Sequence, residues 1–329
     1  MISAAFCHWL TRSASALLLA LVLCVGSTQA ADLVIAVART PLSLPIFVAA
    51  DQGYFRSEGL KVQLREVNGG HSAMEEVLAG KADLGTASDS VLMFNSLKRD
   101  DFVSLGYFVS SPSDLSILAN SQTATQSAEA WQGQSVGVVK GASSEYLMHS
   151  WLLLNGIDPQ NVNFINLQPD AMPAALAQQQ VVAVSIWEPT AFIILQQVTD
   201  SIVLPSPGLH TLTFHLLSTR TTATTRNADM QALLRAIDQA ETFIRQHPQR
   251  AQNILRDTLE VDKAFIDWIW PRYHYQLGLD QALLSSLESQ ARWSMENGLA
   301  NSAQIPNYLD FIHSQPLRTV RSSAVSLIE

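Results

Sequence analysis

The chain has 329 residues, of which 47% are hydrophobic and 15% charged, and its formal net charge is −9. An average soluble domain is about 25% charged, and a chain of this length can bury a core large enough to fold without disulfides or a structural metal. The excess of acidic side chains argues against nucleic-acid binding, which depends on clustered Lys and Arg.

The first thirty residues have the pattern of a secretory signal peptide. Arg12 precedes the apolar run "ALLLALVLCV", and the small residues of "GSTQA" follow it. The apolar part is short for a membrane span, so we expect cleavage after Ala30 and a soluble periplasmic protein. Both cysteines, Cys7 and Cys24, lie in this segment, so the remainder has no thiol for catalysis or metal binding. Leu23 is larger than the residue expected before an acylated cysteine, which argues against a lipoprotein.

Strands and helices alternate after the signal. The first unit has predicted strands at 33–38, 61–67 and 82–88 and predicted helices at 45–55, 71–80 and 89–99. Strand–helix–strand order implies parallel pairing with right-handed crossovers.

The same rhythm restarts after two apolar runs, "FVSLGYFV" and "LSILAN". The second unit has predicted strands at 135–139, 162–166 and 181–186 and predicted helices at 143–155, at 170–179 and from Pro189. A further strand is predicted at 212–219, followed by helices over 228–297 with turns at His247-Pro248 and Pro271. Two α/β units of similar plan predict two lobes that face each other.

Ligands of open parallel sheets bind beyond the carboxyl ends of the strands. Small and polar residues dominate the turns at those ends, whereas the strands that lead into them are apolar. The candidate ligand-binding residues in these turns are Arg39, Thr40, Ser43, Ser88, Asp89, Gly141, Ala142, Ser143, Ser144, Trp187 and Glu188. This contrast is what a cleft for a polar ligand between two lobes requires.

Several segments, in this order, resemble one family of binding proteins. They are "PLSLPIFVAADQGYFRSEGLKV", "LAGKADLGTASDS", "GQSVGVVKGASSEYLMHSWLLLNGIDPQNVNFINL" and "SIWEPT". Together they resemble the nitrate/sulfonate/taurine family of periplasmic substrate-binding proteins, which feed ABC importers. The resemblance covers most of residues 33–260. Members usually have Gly-x-Val-Asp-Ala before "WEP", and this chain has Gln179 in place of the Gly and Val182 in place of the Asp.

The resemblance implies an α/β fold of the two-lobed type II periplasmic class, with a mostly parallel sheet in each lobe. Lobe one comprises residues 31–114 and 212–329, and lobe two comprises residues 115–211. The two crossings, near Ser111–Asp114 and Pro205–His210, would act as hinges.

The function implied is capture of nitrate, a sulfonate, taurine or a related small polar solute and its delivery to an ABC permease and, through it, to the ATPase. We expect a monomer without cofactor, metal or catalytic residues. One alternative is a periplasmic sensor that presents its solute to a receptor. Another is a pyrimidine-metabolism protein of the same fold, although that enzyme carries a cysteine-rich motif.

The turn Gly141–Ser144 is the strongest candidate site. It opens a predicted helix, and unpaired N–H groups at a helix N-terminus suit an anionic or strongly polar group. In the alternative interpretation, Ser143 only caps the helix and Gly141 only turns the chain. Glu145 in the first turn would compete for the same helix dipole unless it points away or pairs with a ligand amine.

The other candidates also have structural alternatives. Glu188 is expected to accept a hydrogen bond from a ligand amine, with Trp187 as a flat wall, or else to be solvated. Asp89 either faces the ligand beside Ser88 or caps its helix. Arg39 either pairs with an anion or is solvated. Tyr273, His274 and Tyr275 are attributed to helix packing in lobe one.

Overall fold

The computed structural model describes residues 31–124, 127–299 and 304–328, so the predicted signal peptide and Cys24 lie outside the described residues. The strands are β1 (Ala31–Ala38), β2 (Leu60–Val67), β3 (Leu84–Ser88), β4 (Phe102–Ser111), β5 (Leu115–Asn120), β6 (Ser135–Val138), β7 (Asn163–Asn166), β8 (Ala183–Trp187), β9 (Ser201–Leu204) and β10 (Leu212–Thr219). The helices are α1 (Leu44–Asp51), α2 (Tyr54–Ser57), α3 (Gly69–Leu78), α4 (Asp89–Ser96), α5 (Ser121–Ala124), α6 (Ser143–Leu154), α7 (Met172–Ala177), α8 (Thr190–Gln197), α9 (Arg220–Thr225), α10 (Asn227–Gln246), α11 (Pro248–Leu259), α12 (Lys263–Ile269), α13 (Gln281–Glu296) and α14 (Gln315–Val320). Among the helices described, none combines the length and the apolar composition that a bilayer crossing requires.

Two mixed sheets form the framework. The first has strand order β2-β1-β3-β10-β4 and the second β7-β6-β8-β5-β9. In the first sheet β10 runs antiparallel to both of its neighbours, and in the second sheet β5 does the same. The other strands of each sheet share one direction, which confirms the predicted two-lobed, mostly parallel α/β fold.

The chain passes between the sheets twice. It leaves the first sheet between β4 and β5 and returns between β9 and β10. These connections coincide with the hinges predicted near Ser111–Asp114 and Pro205–His210, whereas the lobe boundaries themselves stay a prediction.

Buried apolar side chains from both sheets belong to one contiguous core cluster. It includes Ile35 and Leu84 of the first sheet and Ile117 and Val136 of the second, all fully buried. The helix α10 adds apolar residues spaced three or four apart, which is the pattern of a helix with one buried face. The two lobes therefore share part of their core.

Two predicted helices are divided or shortened for a local reason, and the helix predicted at 89–99 ends at Ser96. Gly53 has φ of 73° and divides the helix predicted at 45–55 into α1 and α2. The helix predicted at 170–179 is a 3-10 turn, Pro169–Ala171, followed by α7. Gln179 then adopts φ of 56°, a left-handed conformation that favours glycine. This is the position at which the resembling family has a glycine.

The segment around Tyr273, His274 and Tyr275 pairs with a sheet, so attributing it to helix packing was wrong. The main chains of His274 and Ser110 exchange hydrogen bonds of 2.9 and 3.0 Å, and those of Gly278 and Tyr107 exchange bonds of 2.9 and 3.0 Å. The segment thereby covers the free edge of β4, as natural sheets require.

Candidate functional site

In each lobe, a buried serine hydroxyl binds the main chain of the turn that joins a strand to the next helical segment. The Ser43 hydroxyl donates to the Ala38 carbonyl at 2.8 Å. The Ser144 hydroxyl accepts from the Val139 N–H at 2.8 Å and donates to the Val139 carbonyl at 3.2 Å. Both hydroxyls therefore bind the end of the strand that precedes them and hold the shape of the turn.

Two strand-end turns from opposite lobes meet at Ser88 and Ser143. The Ser143 hydroxyl donates to the Ser88 hydroxyl at 3.4 Å, and both residues are buried. Ala142 holds the N-cap position of α6 and gives it no side-chain cap. The alternative in which Ser143 caps the helix is therefore wrong, and the Ser143 hydroxyl is directed at lobe one.

Glu145 points back into its own turn. Its Oε2 accepts from the Gly141 N–H at 2.9 Å, and Gly141 has the left-handed φ of 71° that favours glycine. Burial raises the pKa of the Glu145 carboxyl, and the Gly141 N–H and the Lys140 charge only partly oppose that rise. Glu145 thus stabilises the turn between β6 and α6.

Asp89 lies on the lobe-one side of the same contact. Ser88 caps α4, because its hydroxyl accepts from the Val91 N–H at 3.4 Å, so the alternative in which Asp89 only caps this helix is wrong. The fully buried Asp89 accepts a 3.0 Å hydrogen bond from Gln290 Nε2. Its Oδ2 also lies 3.6 Å from His210 Nε2, which comes from the crossing into β10.

Glu188 connects the lobes. It is fully buried at the end of β8, and its Oε2 accepts from the Phe192 N–H at 3.0 Å. Its Oε1 accepts from Trp268 Nε1 at 2.7 Å and lies 3.8 Å from Arg272 Nη1. The Arg272 guanidinium also stacks 3.7 Å from the centroid of the Trp268 ring. Burial raises the pKa of Glu188 despite these three partners.

Asp114, at the first crossing, was not among the predicted ligand-binding residues. It is fully buried, and Tyr273 donates to its Oδ1 at 2.6 Å. Among the described residues, its Oδ2 has no hydrogen-bond partner. Burial raises its pKa to about 7; the charge of Glu188 adds to the rise, and the Tyr273 hydrogen bond, Arg272 and His210 oppose it. The sequence signal that could have found Asp114 was a carboxylate in a connection between two lobes.

Aromatic rings fill the space between α6 and α13. Tyr146 lies edge-to-face against Trp293 and His210, with ring centroids 5.0 and 5.5 Å apart. His149 contacts Trp293 in the same way at 5.3 Å. Beside this cluster is a cavity of about 440 Å³, whose lining includes Tyr107, Tyr146, His210, Thr213, Asp280 and Ser289.

The remaining predicted residues lie at the rim or outside this contact. Arg39 is exposed, donates to the Thr258 carbonyl at 3.2 Å, and is paired with Glu66 and Glu260 at 3.8 and 3.3 Å. Thr40 caps the 3-10 turn Pro41–Ser43. Trp187 ends β8 and packs, half-buried, against the apolar cores.

We predict that Asp114 makes the protein less stable as the pH rises from about 4 to about 7. Its folded pKa of about 7 exceeds the unfolded value of about 3.9. Between these values the folded state holds a proton that the unfolded state has released, so stability falls with rising pH. Asp114→Asn removes this titration and keeps an acceptor for Tyr273, so its stability relative to wild type should grow by about 1–3 kcal/mol between pH 4 and pH 8.

Urea denaturation at several pH values measures this difference. Glu145 and Glu241 also have raised pKa values, but they titrate in both proteins and cancel in the difference. The difference therefore reports Asp114 together with its mutual effect on Glu188, whose charge acts on Asp114. A difference that stays constant across the range would contradict the prediction.

Comparison with known proteins agrees with this architecture. A profile described as NMT1/THI5-like matches residues 40–251. A putative aliphatic sulfonates-binding protein of Bacillus subtilis (strain 168) is 24% identical over 229 residues, which are 68% of this chain and 69% of that protein.

Two solved structures share the fold. The periplasmic aliphatic sulphonate binding protein SsuA from Escherichia coli matches with a TM-score of 0.73 and 22% identity over 86% of this chain and 97% of that one. The alkanesulfonate-binding protein SsuA from Xanthomonas axonopodis pv. citri, bound to MOPS, matches with a TM-score of 0.72 and 20% identity over 90% and 98% of the respective chains. Because the profile spans more than half of the sequence, the chain belongs to the NMT1/THI5-like family.

Proposed function

We propose that this protein is the extracytoplasmic solute-binding component of an ABC importer. It captures a small polar solute that contains sulfur or nitrogen, of the kind represented by nitrate, sulfonates and taurine, between its two lobes. It delivers the solute to the permease and, through it, to the ATPase. It acts in the periplasm as a monomer, after removal of the signal peptide.

The contact of Ser88 with Ser143 is the observation that carries the proposal. It places a hydroxyl oxygen from a strand-end turn of each lobe 3.4 Å from the other. These turns lie at the edge where open sheets bind ligands. The family assignment and the fold shared with sulfonate-binding proteins support the same function. Lobe closure about two hinges gives the permease a means to distinguish loaded from empty protein.

Solute binding should therefore make the protein more compact. With the lobes already in contact in the structure, the solute-free protein in solution should have the larger radius of gyration, and bound solute should decrease it. Small-angle X-ray scattering with and without a solute whose binding has been established by calorimetry measures the change. Equal radii in the two states would argue against closure about the two crossings.

A further inference from the structure

A further cavity, of about 390 Å³, lies among the helices that follow β10. Its walls are the end of α10, the start of α11 and the segment 270–276 that follows α12. Its lining includes Arg245, Pro248, Trp270, Tyr273, His274 and Tyr275. All of them lie in the part of the chain predicted to complete lobe one, and none is among the candidate ligand-binding residues of the strand-end turns.

Arg245 supplies a cation to this cavity. Its side chain is exposed near the end of α10, and its Nη2 donates to Thr242 Oγ1 at 3.0 Å. The acid one turn earlier on the same helix, Glu241, is fully buried and paired with Arg321 at 3.0 Å. Arg245 forms no ion pair with any residue that the structure describes. Because a guanidinium has five N–H donors, Arg245 keeps donors for a bound anion.

Two other features favour an anion at the same place. His274 is exposed in the lining, and its main-chain pairing with Ser110 holds it in position. Pro248 is the first residue of α11, a helix of 12 residues whose N-cap, His247, makes no side-chain cap. Unpaired N–H groups at such an end carry a partial positive charge. The chain has a formal net charge of −9, yet no acidic side chain lines this cavity among the described residues.

Aromatic rings form the other part of the lining. The Tyr275 ring lies between those of Trp270 and Tyr273, with its centroid 6.0 Å from each. Trp270 and Tyr275 are only half-buried, so part of each ring is left uncovered by the protein. Aromatic rings bury a large apolar area and prefer stacked or edge-to-face contacts with another ring. A flat apolar group therefore suits this wall better than a small hydrated ion does.

We infer that this cavity is a second ligand-binding site, for a small anion that joins a carboxylate or phosphate group to a flat apolar body. Arg245 and His274 bind the charged group, and Trp270 and Tyr275 contact the body. Carboxylate and phosphate share the required chemistry, because the planar guanidinium of arginine can form two parallel hydrogen bonds to either. The site goes beyond the proposed function, since the solute captured between the lobes does not occupy it.

Calorimetric titration of the wild-type protein with matched probes tests the inference. Benzoate and phenyl phosphate carry both the ring and the charge, benzamide carries the ring alone, and acetate and inorganic phosphate carry the charge alone. We expect benzoate or phenyl phosphate to bind about tenfold or more tightly than benzamide and than its own ringless counterpart. Arg245→Gln should weaken the binding of that probe by about fivefold or more, because a charge-assisted hydrogen bond is lost.

Arg292→Gln is the matched control, because it removes the same charge from an exposed position on α13 that does not line the cavity. It should leave probe binding unchanged, and so should Ala142→Leu, which adds bulk where the lobes meet. Binding lost in Ala142→Leu and kept in Arg245→Gln would place the probe between the lobes and overturn the inference. Equal affinity for benzamide, or no binding of either ring-bearing anion, would overturn it as well. Each of these outcomes leaves the proposed function standing.

Discussion

Arg272→Met is expected to lower the free energy of unfolding by about 3 kcal/mol, because it removes the cation beside a fully buried carboxylate. Glu188 Oε1 would keep the Trp268 N–H but lose the guanidinium at 3.8 Å. The substitution also removes the stacking of Arg272 on Trp268 and its 3.0 Å hydrogen bond to the Ser113 carbonyl. Since Glu188 directly follows β8, and Trp268 and Arg272 lie in or just after α12, part of this loss should appear as weaker contact between the lobes.

Denaturation by urea at neutral pH measures the loss, and Arg256→Met provides the control. Arg256 is 42% exposed and paired with Asp257 at the surface, where ion pairs contribute about 1 kcal/mol or less. If both variants lost the same small amount of stability, Glu188 would not depend on Arg272 and the connection between the lobes would have to be explained differently.

Ala142→Leu should abolish solute binding or weaken it by more than about tenfold, while leaving the free energy of unfolding within about 0.5 kcal/mol of wild type. Ala142 holds the N-cap position of α6 with φ of −131° and ψ of 170°, an extended conformation that leucine also adopts. The added side chain would enter the space next to Ser143, where the two lobes meet at 3.4 Å. Bulk at this point should obstruct both the solute and the closure of the lobes.

Ala171→Leu adds the same bulk to an exposed turn of the second sheet, after β7. Calorimetric titration beside a thermal melting curve should show binding retained in this control and lost in Ala142→Leu. Unchanged affinity in Ala142→Leu would mean that the Gly141–Ser144 turn only connects β6 to α6.

The strands and most helices could be predicted because their signals are local. An apolar run bounded by turn residues defines both β10 and β6. The strand β10 covers the predicted residues 212–219, and β6 ends one residue earlier than predicted. Gln179 was harder to interpret. Its left-handed φ of 56° shows that the backbone keeps the conformation a glycine would favour, even though the residue type has changed.

The arrangement of the candidate site could be predicted only in part, because its contacts join distant parts of the chain. The sequence placed Ser88 and Ser143 at strand ends, but nothing local showed that their hydroxyls meet. Glu188 was expected to accept a hydrogen bond from a ligand amine. In the structure its oxygens accept hydrogen bonds from Phe192 and from Trp268, the latter eighty positions away. Asp114 was overlooked because its burial depends on a segment that pairs with β4 far along the chain.

A disulfide between the two lobes tests most directly whether solute enters between them. In Ser88→Cys/Ser143→Cys the two sulfur atoms would replace hydroxyl oxygens that lie 3.4 Å apart, near enough for a bond after small adjustments. A protein produced from Ala31 onwards contains no other cysteine. With disulfide formation verified by mass spectrometry, a solute probe (nitrate, a sulfonate or taurine, whichever binds wild type most tightly) is titrated into the oxidised and the reduced protein. We predict that the oxidised, empty protein does not bind the probe and that reduction restores binding; equal affinity in the two forms would contradict a site between the lobes.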